Sequence, residues 1–175
     1  HVLVLGEGMT SRLRGAPQMS HARACAALHR QARRAVATLG VEDIRIHRFP
    51  DNQFDTVPLL DIVQCIELHV QRVMPALVFT HWDGDLNMDH ALTNRATLIA
   101  VRPGVSSPVT AVYAYEVPSS SEWGASAFKA TYYVDISDVI DRKVDALKVY
   151  TSEIRSYPHP RSEHGIRHLA ARCRI

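Results

Sequence analysis

The chain has 175 residues, 46% of them hydrophobic and 22% charged, a length and balance that suit one folded domain and exclude general disorder. A domain of this size buries about 70% of the surface its unfolded chain exposes, so it needs neither disulfides nor a structural metal to hold it together. The formal charge of +2, from 20 Lys plus Arg against 18 Asp plus Glu, is too small and too evenly spread for a nucleic-acid footprint.

In chain order, Val2 to Leu5 is a short apolar run closed by Gly6-Glu7-Gly8, the pattern of a buried parallel strand entering a loop. The run is far shorter than a signal-peptide core or the roughly 20 apolar residues of a membrane span, so it is not expected to be a targeting segment. From Ser20 to Leu39, Cys25, Leu28, Ala32, Ala35, Val36 and Leu39 recur at helical spacing, with Gly40 as the stop. The opposite face carries Arg23, Arg30, Arg33 and Arg34 and reads as solvated surface. Ile44, Ile46 and Phe49 predict a second strand before the turn Pro50-Asp51-Asn52. Leu59, Ile62, Val63, Ile66, Val70 and Val73 form one helical stripe ended by Pro75, and Ala76 to Thr80 predicts a third, buried strand.

Ala91 to Val101 predicts a helix capped by Asp89, and Val109 to Tyr115 a fourth strand. Glu116 to Lys129 lacks periodicity and reads as a long loop. Tyr132 to Val134 is a candidate fifth strand, Ile136 to about Glu153 a helix, and the tail from Ser156 ends in a short helix. Strands alternating with helices predict an α/β fold with a mostly parallel sheet and helices on both faces, in a single domain over residues 1–175. Sites in such sheets lie outside the carboxyl ends of the strands, which selects three loops: 6–15, 81–90 and 116–129.

The densest polar cluster is His81-Trp82-Asp83-Gly84-Asp85-Leu86-Asn87-Met88-Asp89-His90. Two imidazoles, three carboxylates and an amide in ten residues are costly to bury unpaired, so they are either solvated or organised around something, and a metal is the natural candidate. A hydrophilic loop with a helix cap explains the composition equally well. A calcium loop does not, because Met88 stands where the turn glycine belongs and Asn94 where a bidentate Glu belongs. Gly6-Glu7-Gly8-Met9-Thr10-Ser11-Arg12 matches neither phosphate-binding glycine fingerprint. No G-x-S-x-G elbow occurs, so Ser119, Ser120 and Ser121 read as loop residues rather than nucleophiles. The three cysteines, Cys25, Cys65 and Cys173, are odd in number and have no C-x-x-C spacing, which fits a reducing, cytoplasmic compartment.

Together, the cluster from Thr80 to His90, the loop Gly6 to Arg12, the stretch Tyr115-Glu116-Val117-Pro118-Ser119-Ser120-Ser121-Glu122-Trp123 and Pro158-His159-Pro160-Arg161-Ser162 resemble the LmbE-like, or PIG-L, family of metal-dependent N-deacetylases of amino sugars and their conjugates. The resemblance spans nearly the whole chain and implies a Rossmann-like fold. It also implies a site for zinc, or another divalent metal, with two histidines and one aspartate as ligands. His90 falls on a metal-binding histidine. Asn87 falls where many members carry a histidine that stabilises the tetrahedral intermediate, and Asp85 and Asp89 fall where carboxylates orient the loop and the imidazole. Arg12 and Arg161 are implied substrate hydrogen-bonding groups and His159 an acid for the leaving amine, while Trp123 is a candidate for stacking on a sugar face.

The family's His-Pro-Asp-Asp motif, which supplies the other metal ligands and the general base, does not occur in these residues. The chain starts without Met and ends at Ile175 without a cap, so it is expected to be incomplete at both ends. Its first strand would then correspond to the family's second, and the missing motif would lie on the order of 30 residues upstream. The expected function is N-deacetylation of a small-molecule N-acetyl amino sugar or conjugate, with little activity from these residues alone. The alternative is a non-catalytic sugar- or partner-binding domain on the same fold. Neither a nucleic-acid partner nor a membrane span is expected, and a homo-oligomer is compatible with the sequence.

Overall fold

The computed structural model describes residues 1–13, 15, 17–104 and 107–172. Their order is β1 (Val2–Gly6), α1 (Gln18–Thr38), β2 (Ile44–Phe49), α2 (Leu59–Val73), β3 (Leu77–His81), α3 (Met88–Ala100), β4 (Ala111–Tyr115), α4 (Ile140–Lys148) and α5 (Glu163–Arg172). Single 3-10 turns lie at Phe54–Thr56, Ser121–Trp123 and Ser137–Val139. The strands pair as β1 with β2 and β3 with β4. The chain divides into two compact units, one of His1–Val4, Gly15–Ile46 and Lys129–Ile175, the other of Leu5–Arg14 and His47–Phe128.

In the first unit α1 packs on α4 and α4 on α5. Ala32 and Ala35 are the buried positions of α1's middle, small enough to let a neighbouring helix approach, and Val144 on α4 is wholly enclosed. Ser162, immediately before α5, accepts the Gly165 N–H at 2.9 Å and so satisfies one of the donors that a helix start leaves open. Position 165 tolerates only glycine, since a Cβ there would lie 2.5 Å from the Pro160 carbonyl oxygen. The start of the β1–β2 pair also belongs here, where Val2 N–H donates to the Asp43 carbonyl at 2.9 Å.

The second unit holds the end of that pair, with Glu7 N–H donating to the Phe49 carbonyl at 3.0 Å, together with α2, α3, β3 and β4. β3 and β4 are parallel and in register from Leu77 beside Ala111 to His81 beside Tyr115. Parallel neighbours require a crossover, and α3 is part of it, packing on β3 and on α2. The apolar stripe expected for α2 supplies Ile62, Val63 and Ile66 to the core, which Leu5, Phe54, Ala96 and Val101 complete. α2 ends at Met74, whose left-handed φ of 50° satisfies the C-terminus immediately before Pro75.

Several sequence expectations are corrected. β3 is not buried on both faces: Thr80 is enclosed and bonds through its hydroxyl to Thr97 of α3 at 3.2 Å, whereas Leu77 and Phe79 are 51% and 62% exposed. The strand alternates because α3 covers one side of it, while on the other Phe79 stacks on Tyr113 of β4 with centroids 5.5 Å apart. α3 starts at Met88 rather than Ala91, and its cap is Asn87, not Asp89: the Asn87 Oδ1 accepts the Asp89 N–H at 2.9 Å. Tyr132 to Val134 forms no strand, and the helix expected to run to about Glu153 ends at Lys148. Among the described residues Cys25 and Cys65 form no disulfide, while Cys173 lies outside the described residues. Among the described residues no helix is long and apolar enough to cross a membrane.

Candidate functional site

The carboxyl ends of β3 and β4 place His81 beside Tyr115, and the loop leaving β3 turns into α3 within seven residues. Asp85 sits in that loop with its side chain completely shielded. An isolated carboxylate there would be untenable, and the surrounding groups supply its compensation. Oδ1 accepts the Asn87 N–H at 2.8 Å, the Ser120 hydroxyl, and the Nδ1 proton of His90 at 3.0 Å, while Oδ2 accepts the Ser121 hydroxyl. Burial pushes the Asp85 carboxyl up. Hydrogen bonds from Ser120, Ser121 and Asn87 and the nearby His90 outweigh it, so the group lies below the ordinary carboxylate range and is ionised at neutral pH.

An ionised carboxylate can only accept, so the Nδ1 of His90 carries a proton, and Nε2 is the ring nitrogen turned away from Asp85. The ring is also held across its face: His81 stacks on it with centroids 4.2 Å apart and planes 18° from parallel. His81 in turn lies 5.0 Å from the Tyr115 ring, and its Nε2 is 3.4 Å from the Tyr115 hydroxyl. The His81 carbonyl accepts the Asn94 amide at 2.7 Å, whereas its Nδ1 is buried with no hydrogen-bond partner. Burial first, then the neighbouring imidazole of His90, lowers the His81 pKa to about 4 against a smaller opposing effect of Asp85, so His81 is neutral near pH 7.

Asp89 points the other way. Its carboxylate accepts the Asn52 N–H at 2.6 Å and the Phe54 N–H at 3.0 Å and ties the turn after β2 to the start of α3. Asn87 Nδ2 donates to Asn52 Oδ1 at 3.2 Å, and Asn52 Nδ2 donates to the Ser11 hydroxyl at 3.0 Å. Glu7 accepts the N–H groups of Met9, Thr10 and Asp51 at 3.0, 2.7 and 3.2 Å. Three loops, after β1, after β2 and after β3, are thus joined in one polar network.

The structure therefore brings together Asp85, Asn87 and His90 of the sequence-predicted residues. Asn87 spends its oxygen on the helix cap and one amide hydrogen on Asn52, which leaves a single N–H as a donor. Arg12 is exposed in the turn after β1, and Trp123, 56% exposed, lies in the 3-10 turn after Ser120. His159 and Arg161 belong to the first unit, where His159 Nδ1 accepts the Arg161 N–H at 3.0 Å and the Arg161 guanidinium pairs with Glu153 at 2.5 Å. That guanidinium already has a carboxylate partner.

Sequence reasoning counts His81 among the two imidazoles of the polar cluster but gives it no role of its own; the structure places it at the strand end beside Tyr115. Sequence reasoning also sets aside Ser120 and Ser121 as loop residues. They are not nucleophiles here, since both hydroxyls donate to Asp85. The one available signal was their place in a segment that follows a predicted strand.

With Nδ1 engaged by a carboxylate and Nε2 free, His90 is presented as a metal-bound imidazole is. It fits one position of a zinc centre, and Asp85 fits the outer partner that orients it.

The sequence matches the PIG-L family, described as GlcNAc-PI de-N-acetylase, over residues 1–101, and the chain belongs to that family. Its fold is shared with the conserved protein TT1542 from Thermus thermophilus, at TM-score 0.68 and 21% identity over 98% of this chain and 72% of that one. GalB, the 4-carboxy-2-hydroxymuconate hydratase from Pseudomonas putida, superposes at TM-score 0.70 and 23% identity with the same coverage. At these identities the likeness is one of fold, a mixed α/β arrangement of the LmbE type. No curated protein matches the chain significantly.

Proposed function

We propose that the protein is a metal-dependent hydrolase that removes the acetyl group from an N-acetylated amino sugar or a conjugate of one. The observation that carries this reading is His90 at the start of α3, with Nδ1 held by the buried Asp85 and Nε2 turned away from it. Family membership supports the same chemistry.

In this reading His90 is one zinc ligand and Asp85 keeps it in the ligating tautomer. A bound zinc ion would polarise the acetamide carbonyl and lower the pKa of a water molecule. The remaining N–H of Asn87 is the donor in the same loop that can meet a developing oxyanion, and as a neutral amide it supplies a hydrogen bond rather than a full positive charge. Trp123 offers an exposed indole face for an apolar sugar surface.

The test uses the intact protein and a panel of N-acetylated sugars, with amine formation and zinc content measured in parallel. His90→Ala is expected to lose zinc retention and acetate release together, and full activity in that variant overturns the assignment. A second reading, addition of water without loss of an acyl group, is favoured by the hydratase among the structural neighbours. It predicts a hydrated product and no free amine.

A further inference from the structure

We propose that Ser120 and Ser121 are positioning residues for His90, acting through Asp85 to fix which imidazole nitrogen faces the metal. The inference rests on the reading of His90 as a ligand and adds two residues to it from a different loop.

Their placement is built rather than incidental. The N–H groups of Ser120 and Ser121 both bond to the Val117 carbonyl, at 3.1 and 3.0 Å, and the Glu122 carboxylate accepts the N–H groups of Ser119 and Ser120 at 2.7 and 3.0 Å. Ser121 is almost wholly enclosed, and its oxygen accepts the Val117 N–H at 2.7 Å. That bond fixes the oxygen and leaves the hydroxyl proton for Asp85 Oδ2. The Ser120 proton goes to Oδ1, the same oxygen that receives His90.

Gly124 lets this turn close on the other loop, because a Cβ there would lie 2.7 Å from the Gly84 carbonyl oxygen. Without the two hydroxyls, Asp85 would keep only the Asn87 N–H and the imidazole as partners, and its carboxylate could rotate. With them, both oxygens are assigned and only one His90 tautomer is accommodated. The His81 ring across the face opposes a flip.

The experiment records the histidine tautomers of the intact, metal-free protein by long-range proton–nitrogen NMR at neutral pH and then titrates it with zinc alone. The wild type is expected to show His90 protonated on Nδ1. Ser120→Ala is expected to mix the two tautomers and weaken zinc binding about 10-fold, within the range seen for loss of an outer-shell partner. Ser120→Thr keeps the hydroxyl and restores both readouts. Ser121→Ala is expected to do the same as Ser120→Ala, and Ser120→Ala stands alone should the buried Ser121 variant not fold. A wild-type tautomer and zinc affinity in Ser120→Ala overturns the proposal. Mixed tautomers with unchanged zinc affinity uphold the positioning role and instead refute His90 as the ligand, so the two failures are separable.

Discussion

Asp83 and Asp85 are two residues apart in one loop, yet their replacement is expected to have very different effects. Asp83 is exposed, while Asp85 is enclosed and receives four hydrogen bonds, from Ser120, Ser121, Asn87 and His90. A hydrogen bond to a charged acceptor contributes about 1.5–3 kcal/mol net. The burial of the carboxylate offsets much of the sum, and removal of one member of a buried charged group costs about 3–5 kcal/mol. Asp85→Ala is therefore expected to destabilise the second unit by about 4 kcal/mol. Asp85→Asn keeps an acceptor at Oδ1 but lowers the strength of each bond by about half, which gives about 2 kcal/mol. Asp83→Ala should stay within about 0.5 kcal/mol of wild type.

Urea unfolding followed by tryptophan fluorescence is a selective assay, because the two tryptophans, Trp82 and Trp123, both belong to the second unit. An Asp85→Ala cost below about 1 kcal/mol, or one equal to that of Asp83→Ala, would refute the account of the loop as organised around a paired carboxylate.

Three further outcomes follow from the same geometry. In the metal-free protein, His81 is lowered from 6.5 to about 4, so the unfolded chain binds its proton first as pH falls. Its contribution is complete above pH 6.5 and is lost between there and about 4, a change of about 3 kcal/mol that His81→Phe should remove from the pH profile of the urea midpoint; parallel wild-type and variant profiles would contradict it. Asn87→Ala removes the cap of α3 and should cost about 1 kcal/mol in the same unfolding assay. Gly124→Ala forces a methyl group against the Gly84 backbone and should lower stability by about 1–3 kcal/mol, seen as a lower melting temperature, whereas an unchanged melt would mean the loops do not meet there.

How much was legible in the sequence depended on whether the determinant was local. α2 was read to its observed ends because a six-residue apolar stripe and a proline both act within the segment. α3 was entered late because Asn87 and Asp89 are equally good caps by composition. The choice between them is made by the turn after β2, whose N–H groups at Asn52 and Phe54 claim Asp89. β3 looked like a fully enclosed strand because Leu-Val-Phe-Thr carries no polar break. Only the packing of α3 on one side shows that Leu77 and Phe79 face outward. In the site, His90 and Asp85 were found through their loop, but the serines that complete it lie 35 and 36 positions away from Asp85. Short-range patterns carry no information about such a pairing.

The outward-facing Leu77 and Phe79, the latter stacked on the half-buried Tyr113, have a practical side. A bare apolar ribbon on a two-stranded sheet is the ingredient of strand-mediated clumping, and a formal charge of only +2 gives the molecules little mutual repulsion to prevent it. Solubility during purification will accordingly be governed by what shields those rings, and by added salt or cosolvent acting on them, more than by the titration of any surface group.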